Sequence, residues 1–178
     1  IHELNDTTLW VSTVGEGIVK IILNKNGITP TVKSATRIIL DGGRLASNYF
    51  FTSFQENDSI LWFGNRGYGA HRLNLETGKF TPYKFDNIVN SQMTNDIFAI
   101  YKNENGYWFA TSSGLLHFNQ EDSQHHNKVE LLSKNTAHGI LEDQQNNIWI
   151  STNQGLVRFN PKTHTSQTYD RKNGLEVT

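Results

Sequence analysis

Short apolar segments alternate with polar turns along the whole chain, and no segment repeats its apolar residues every three or four positions as a surface helix does. Four of these segments are centred on a tryptophan and read L-W-V, L-W-F, Y-W-F and I-W-I. Consecutive apolar residues on a strand indicate that both of its faces are buried. The pattern therefore predicts an all-β chain whose central strands pack on both sides.

The tryptophans mark an internal repeat, because they lie 52, 46 and 41 residues apart. A small residue follows two positions after each one, on the same strand face, and a glycine opens the next strand. The tryptophans are Trp10, Trp62, Trp108 and Trp149, the small residues are Ser12, Gly64, Ala110 and Ser151, and the glycines are Gly17, Gly69, Gly114 and Gly155. A repeat of roughly 40–50 residues made only of strands is the period of a β-propeller.

We therefore predict four four-stranded antiparallel blades, at about residues 1–45, 46–90, 91–134 and 135–178, with the tryptophans mostly buried and essentially no helix. As core residues the tryptophans anchor the blades, and Trp149→Ala is expected to cost about 3–5 kcal/mol. The repeated glycines fit turns with positive φ or a close approach of two backbone segments.

The repeat resembles a known family. The fourth unit reads H-G-I-L-E-D-Q-Q-N-N-I-W-I-S-T-N-Q-G-L-V-R-F-N-P-K-T from residue 138, and the third reads I-Y-K-N-E-N-G-Y-W-F-A-T-S-S-G-L-L-H-F-N from residue 100. Both are similar to the two-component regulator propeller repeat. The first two units depart from it: each has one extra residue before the glycine, Asn65 replaces a threonine, and Ile22 replaces an asparagine.

This resemblance implies a function. Proteins with such repeats are extracytoplasmic sensor regions of hybrid histidine kinases, typical of gut Bacteroides, and many respond to oligosaccharides. It implies a periplasmic, non-catalytic sensor whose parent protein is anchored in the membrane and carries a cytoplasmic kinase that this chain lacks. A structural or protein-interaction propeller is the leading alternative, with the ligand bound elsewhere. A propeller polysaccharide lyase ranks third.

The alignment also predicts that the chain is a fragment of a larger propeller. I-H-E-L-N-D-T-T-L-W at the start aligns with I-L-E-D-Q-Q-N-N-I-W of the fourth unit, so Ile1 is expected near the end of an innermost strand. Four blades taken from a larger ring leave one blade face open at each end. Such faces are expected to drive self-association of two chains, unless the four blades close into a tight ring.

Composition excludes several classes of partner. The formal net charge of −1 gives no basic field for nucleic acid or an anionic membrane surface. Mean hydropathy is −0.53, and no apolar run approaches the ~18 residues of a membrane span. The absence of cysteine excludes disulfides and thiolate metal sites.

The residues that could carry catalysis or hold a metal do not converge. His125 and His126 are adjacent, so on a strand they point to opposite faces, and the other histidines (His2, His71, His117, His138 and His164) are spread over the repeats without ligand spacing. The carboxylate pairs Glu121-Asp122 and Glu142-Asp143 diverge in the same way, and Glu142-Asp143 is expected to organise a hairpin turn. We therefore expect no metal, no cofactor and no catalytic residues.

A residue type that recurs at the same place in every unit indicates a structural role, whereas a residue found in one unit only is a candidate for function. A basic residue stands three positions after each repeat glycine, at Lys20, Arg72, His117 and Arg158. Because this series recurs in every unit, it indicates a packing or solvent-facing role rather than a binding site for an acidic glycan.

Singular polar residues map to one end of the propeller, where the loop between the second and third strands meets the connector into each innermost strand. They are Arg66, Tyr68, Asn48, Asn95 and His138. An aromatic ring with fork-like donors and acceptors is what a sugar site needs, although ordinary solvated loop residues remain the alternative. These five residues are the candidate oligosaccharide site.

Overall fold

The computed structural model describes residues 1–25, 28–38, 47–86, 95–119 and 135–175. The carboxylate pair Glu121-Asp122 and the histidine pair His125-His126 lie outside these residues. Within them the chain forms fifteen strands and a single 3₁₀ turn, Arg171–Asn173. The prediction of an all-β chain with essentially no helix is confirmed.

The strands form four antiparallel sheets in chain order. Sheet 1 contains β1 (His2–Asn5), β2 (Thr8–Ser12), β3 (Ile18–Asn24) and β4 (Thr31–Ile38); sheet 2 contains β5 (Phe50–Asn57), β6 (Ile60–Asn65), β7 (Ala70–Asn74) and β8 (Phe80–Tyr83). Sheet 3 contains β9 (Ile97–Asn103), β10 (Gly106–Thr111) and β11 (Gly114–Phe118); sheet 4 contains β12 (Ala137–Glu142), β13 (Ile148–Thr152), β14 (Gly155–Asn160) and β15 (Thr165–Tyr169). The fourth strand expected for sheet 3 falls at positions outside the described residues.

Each sheet is a meander in which neighbouring strands are consecutive in the chain. The first strands of successive sheets adjoin: β1 contacts β5, β5 contacts β9, and β9 contacts β12. These innermost strands therefore line one common axis, as they do in a propeller. The four sheets lie within the four units expected from the repeat, whose boundaries stay predictions.

The repeat glycines open the third strands because the backbone there leaves no room for a side chain. Gly69 has φ +76°, and a Cβ at this position would lie 2.1 Å from the carbonyl oxygen of Tyr83. Gly155 has φ +125°, and a Cβ would lie 2.2 Å from the carbonyl oxygen of Tyr169. Positive φ and a close backbone approach, both features of glycine, thus coincide at these two positions.

A separate hydrophobic core lies between each pair of successive sheets. In every core the tryptophan of one sheet meets the residues that flank the tryptophan of the next sheet: Trp10 meets Leu61 and Phe63, Trp62 meets Tyr107 and Phe109, and Trp108 meets Ile148 and Ile150. The central strands are therefore buried on both faces, which explains the consecutive apolar residues in the sequence.

The two outer sheets each turn one apolar face away from these cores. On sheet 4, Trp149 is half-buried and Leu141, its partner on β12, is 73% exposed. On sheet 1, Leu9 and Val11 are only half-buried, whereas the equivalent Leu61 and Phe63 are fully buried. Three of the four tryptophans are buried as predicted, and Trp149 differs because none of the sheets formed by the described residues packs on its outer side.

Candidate functional site

The loops and connectors singled out from the sequence do meet at one end of the sheets, which we call the axial rim. The backbone N–H groups of Gly15 and Gly17 both donate to the carbonyl of Asn48, at 2.9 and 3.0 Å. Gly69 N–H donates to the carbonyl of Asn95 at 2.8 Å, which repeats the arrangement one sheet further on. In sheets 1 and 2 the loop between the second and third strands is therefore tied to the connector that leads into the next sheet.

Arg66 and Tyr68 lie on the axial rim of sheet 2. The exposed Arg66 guanidinium stands over the ring of Tyr49, 5.8 Å from its centroid, and its backbone N–H donates to the Tyr49 carbonyl at 3.0 Å. Tyr68 is half-buried, and the Lys84 ammonium lies 5.1 Å from its ring centroid. The rim of sheet 2 thus presents two phenol rings, one from the loop and one from the connector before β5, and each is accompanied by a cation.

The two asparagines differ in what they offer to a ligand. Asn48 is exposed, next to Tyr49 on the rim. Asn95 is only 2% exposed: its Oδ1 accepts from the Phe85 N–H at 2.9 Å and its Nδ2 donates to Asp86 Oδ1 at 2.8 Å. Both ends of the Asn95 amide hold the connector in place, so Asn95 supports the rim from below and is not part of its accessible surface.

His138 belongs to a row of rings formed by Phe51, Phe98 and His138, which we call the aromatic row. The His138 ring lies 5.6 Å from Phe98, and Phe98 lies 5.0 Å from Phe51, measured between centroids. The register of the strand pairs shifts at all three positions, so they are equivalent bulges near the start of β5, β9 and β12. The exposed His138 also has Nε2 2.6 Å from Asn153 Oδ1.

The structure therefore gathers the candidate residues into two neighbourhoods. Arg66, Tyr68 and Asn48 share the rim of sheet 2, and His138 stands at the far end of the aromatic row, on sheet 4. Sequence reasoning missed Tyr49, Phe51, Phe98 and Lys84. A signal for the aromatic row was available, since its members all stand ten or eleven positions before a repeat tryptophan.

The basic series pairs directly with the tryptophans across neighbouring strands: Trp10 with Lys20, Trp62 with Arg72, Trp108 with His117, and Trp149 with Arg158. The His117 ring stacks on Trp108 with 4.1 Å between centroids, and the Lys20 ammonium lies 5.5 Å from the Trp10 ring. The series packs over the indoles, which explains why it recurs in every unit.

An acceptor for the indole N–H also recurs five or six residues before the tryptophan. Trp62 Nε1 donates to Glu56 Oε2 at 2.7 Å, Trp108 Nε1 to Asn103 Oδ1 at 3.1 Å, and Trp149 Nε1 to Asp143 Oδ2 at 2.8 Å. In the first unit Leu4 takes this position, and within the described residues the buried Trp10 Nε1 has no acceptor.

These acceptor carboxylates have perturbed acidity. Burial acts to raise the pKa of Glu56, but hydrogen bonds from Trp62, Lys102 and Tyr107 outweigh it and hold the pKa below its ordinary value. Desolvation likewise opposes ionisation of Asp143, and the hydrogen bonds donated by Asn147, Trp149 and Gln145 lower its pKa further than desolvation raises it. The lowered pKa values favour the ionised forms of both carboxylates, which serve the fold as acceptors for the indole N–H groups.

The Glu142-Asp143 pair follows the structural interpretation. Asp143 Oδ1 accepts the backbone N–H groups of Gln145 and Asn147, each at 2.9 Å, and so closes the turn between β12 and β13. Glu142 instead accepts from the hydroxyl of Tyr101 at 2.6 Å, which links sheet 4 to sheet 3. Burial, followed by this hydrogen bond, raises the pKa of Tyr101 to about 12. The two carboxylates serve different contacts and do not converge on one point.

Among the described residues, no three histidine, aspartate or glutamate side chains come together in a way that could hold a metal ion. No helix in that part of the chain is long and apolar enough to cross a membrane.

Part of the chain is similar to a known protein family. Residues 131–154 match the family described as the two component regulator propeller. The match covers the first part of the fourth unit, which is the unit that resembles the family most in sequence, and it ends directly before β14. No curated protein matches the sequence significantly.

Solved structures show the same arrangement of sheets. The extracellular domain of the putative hybrid two component system BT3049 from B. thetaiotaomicron matches with a TM-score of 0.67 and 22% identity over 93% of this chain and 20% of that one. That of the putative hybrid two component system BT4673 from the same organism gives 0.68 and 16% identity, over 91% and 23%. The fold is that of propeller blades, and the chain spans about a fifth to a quarter of these neighbours.

Proposed function

We propose that this chain is the ligand-sensing, non-catalytic propeller part of a hybrid two-component system, located in the periplasm. It recognises an oligosaccharide, and the rest of the parent protein carries the signal across the membrane to a cytoplasmic histidine kinase. The observation that carries the proposal is the two-component regulator propeller repeat at residues 131–154 within a stack of blades. Its support comes from the neighbours, whose names describe extracellular domains of two component systems.

The axial rim of sheet 2 is the surface we assign to the ligand. Arg66 and Lys84 supply cationic donors, while Tyr49 and Tyr68 supply ring faces on which a sugar can stack. The exposed Asn48 adds a donor and an acceptor next to them. Two cations in one patch favour an oligosaccharide that carries carboxylate or sulfate groups.

The aromatic row extends this surface along the innermost strands. Its rings run from Phe51 on sheet 2 to His138 on sheet 4, and His138 is its exposed end. A ligand longer than one sugar unit can reach from the cations of Arg66 and Lys84 towards His138. Asn95 positions the connector beneath this surface and makes no direct contact in the proposal.

Titration calorimetry against a panel of acidic and neutral oligosaccharides tests the proposal. An acidic oligosaccharide is expected to bind with modest affinity, because a few exposed contacts must offset the cost of ordering the ligand. Arg66→Ala and Tyr68→Ala should each weaken binding about tenfold, which corresponds to the loss of one charge-assisted contact or one stacking contact.

Lys79→Ala is the matched control, since it removes a cation from an exposed turn at the opposite end of sheet 2. It should leave the affinity unchanged. If an acidic oligosaccharide binds and neither Arg66→Ala nor Tyr68→Ala weakens it, the assignment of the surface is wrong. If no oligosaccharide of the panel binds, ligand recognition by this chain is refuted.

A second candidate function, that of an interaction propeller, rests on the outer faces of sheets 1 and 4. Trp149, with Leu141 73% exposed beside it, offers apolar surface of the kind that the other tryptophans bury against a neighbouring sheet. This candidate assigns binding to the sides of the blades and not to the rim.

A further inference from the structure

One side chain on the innermost strand of sheets 2, 3 and 4 reaches back to the preceding sheet. These side chains are Gln55, Lys102 and Glu142, and each stands directly before the residue that accepts the indole N–H. Across the strands they pair with the residues that directly precede the tryptophans, namely Leu61, Tyr107 and Ile148. Because those residues pack in a core with the tryptophan of the preceding sheet, the three side chains face that sheet as well. We call this place in the repeat the reach-back position.

A hydrogen-bond donor meets an acceptor at each of these contacts. Between sheets 1 and 2, His2 Nε2 donates to Gln55 Oε1 at 2.8 Å. Between sheets 2 and 3, Lys102 Nζ donates to Glu56 Oε1 at 2.9 Å, and the Glu56 side chain is only 8% exposed. The contacts therefore differ in kind, with a hydrogen bond at the first interface and an ion pair at the second.

Between sheets 3 and 4 the direction of donation is fixed, because the reach-back residue is a carboxylate and can only accept. Glu142 accepts from the Tyr101 hydroxyl at 2.6 Å on one oxygen and from Asn103 Nδ2 at 3.0 Å on the other. Tyr101 stands opposite Trp108 on the neighbouring strand. Sheet 3 therefore turns a tryptophan and two donors towards sheet 4.

These contacts select the neighbour of each sheet. On sheet 2, Phe54 and Glu56 take the places that Tyr101 and Asn103 have on sheet 3. Sheet 4 packed against sheet 2 would therefore bring the carboxylate of Glu142 towards a second carboxylate. Like charges and unpaired polar groups at wrong contacts are the means by which an interface discriminates among similar partners.

Glu3 occupies the reach-back position of sheet 1, where it pairs across the strands with Leu9. It lies on the outer face of this sheet with Leu9 and Val11, the counterparts of the residues that meet a tryptophan in the three cores. Glu3 is exposed, and it has no hydrogen-bond or ionic partner in the described part of the chain. The outer face of sheet 1 therefore offers an apolar seat for a tryptophan and one carboxylate that lacks a donor.

The outer face of sheet 4 fits this surface only in part. Trp149 provides the tryptophan. Leu141 stands where sheet 3 has Tyr101, and Asp143 stands where sheet 3 has an asparagine. Neither a leucine side chain nor a carboxylate donates a hydrogen bond. Sheet 4 of a second copy, seated in the register of the internal interfaces, would therefore bring Asp143 towards Glu3.

We propose that the outer face of sheet 1 binds one kind of partner, a sheet of the same repeat that brings a tryptophan to Leu9 and Val11 and a hydrogen-bond donor to Glu3. Sheet 3 presents both features to sheet 4, so the fold contains one example of such a surface. Sheet 4 of a second copy lacks the donor and associates only through its apolar residues. This surface lies at the side of the sheets and goes beyond the ligand recognition proposed for the axial rim.

A substitution on sheet 4 tests the need for a donor, with a second copy of the chain as the partner. Leu141→Tyr places a phenol where sheet 3 has Tyr101, and the fold should tolerate it because Leu141 is 73% exposed. Leu141→Phe is the matched control, since it adds the same ring without the hydroxyl. In sedimentation equilibrium, Leu141→Tyr should give a dimer dissociation constant about tenfold lower than Leu141→Phe, as expected for one hydrogen bond to a charged acceptor.

Removal of the acceptor completes the test. With Glu3→Ala added to both variants, the dissociation constants of Leu141→Tyr and Leu141→Phe should become equal, because the phenol has lost its partner. Glu3 is exposed, so this change should not affect folding, and circular dichroism checks each variant. Inside the molecule, Tyr101→Phe should raise the unfolding equilibrium constant about tenfold, because it removes the contact with Glu142.

Equal dissociation constants for Leu141→Tyr and Leu141→Phe would overturn the proposal, as would a difference that persists with Glu3→Ala. A change of less than about twofold for Tyr101→Phe would also overturn it, because the reach-back contacts would then be too weak to select a neighbour. Oligosaccharide binding at the axial rim involves none of these residues. Its outcome therefore leaves the result at the outer face of sheet 1 interpretable.

Discussion

The tryptophans should differ sharply in what they contribute to stability, and Trp62 is the strongest case. Its side chain is 0% exposed, lies between the rings of Tyr83 and Tyr107, and donates to Glu56 at 2.7 Å. Truncation of a fully buried tryptophan to alanine costs about 3–5 kcal/mol, and the lost indole donor also leaves Glu56 with one partner fewer. We therefore expect Trp62→Ala to lower the free energy of unfolding by about 4–5 kcal/mol.

Trp149 occupies the same position in its own sheet, but within the described part of the chain no sheet packs against its outer face. It is half-buried, stacked on Tyr169 at 5.5 Å and close to Arg158. Since much of the indole is already in water, Trp149→Ala should cost about 2 kcal/mol, less than the repeat pattern alone suggests.

Urea unfolding followed by circular dichroism measures both values, with Trp62→Phe and Trp149→Phe as controls that keep an aromatic ring. A domain of this kind has about 5–15 kcal/mol of total stability, so Trp62→Ala should shift the midpoint strongly or unfold the protein. Equal losses for the two alanine variants, or a loss below about 1.5 kcal/mol for Trp62→Ala, would contradict the arrangement of the cores.

Three further outcomes follow from the structure. Gly69→Ala should destabilise the protein more than Gly67→Ala in the same unfolding assay, because both have φ near +77° but a Cβ meets the Tyr83 carbonyl only at Gly69, and equal losses would refute the close approach. Because the pKa of Glu56 is lower in the folded state, Glu56 stabilises the fold above its unfolded pKa of 4.5, and this stabilisation is lost as the pH falls. The difference in unfolding free energy between wild type and Glu56→Gln should therefore become smaller in acid. A difference that does not change with pH would contradict this. Light scattering should show concentration-dependent self-association through the outer faces of sheets 1 and 4, which a monomer with both faces open at every concentration would disprove.

The fold was predictable because each repeat unit must pack its central strands between neighbouring sheets. The same residue types therefore recur four times in the sequence. The consecutive apolar residues around each tryptophan and the glycine at the start of each third strand depend only on the two neighbouring sheets. Trp149 shows where this reasoning ends: its environment depends on what packs beyond sheet 4, and the residue itself carries no sign of that.

The candidate site was predictable only in part. The turn chemistry placed Arg66, Tyr68 and Asn48 at one end of the sheets, but it could not reveal that the Asn95 amide is engaged by Phe85 and Asp86. Those partners lie ten and nine residues away in sequence and become neighbours only after the connector folds back.

We propose that the axial rim is the ligand-binding surface of a sensor. Hydrogen–deuterium exchange, measured with and without the acidic oligosaccharide that binds most tightly, tests it most directly. Ligand bound at the axial rim should slow exchange in the segments 47–50, 66–69 and 136–139, with little change in the turns at the opposite end. Protection confined to those opposite turns or to the outer faces of sheets 1 and 4, with none at the rim, would contradict it.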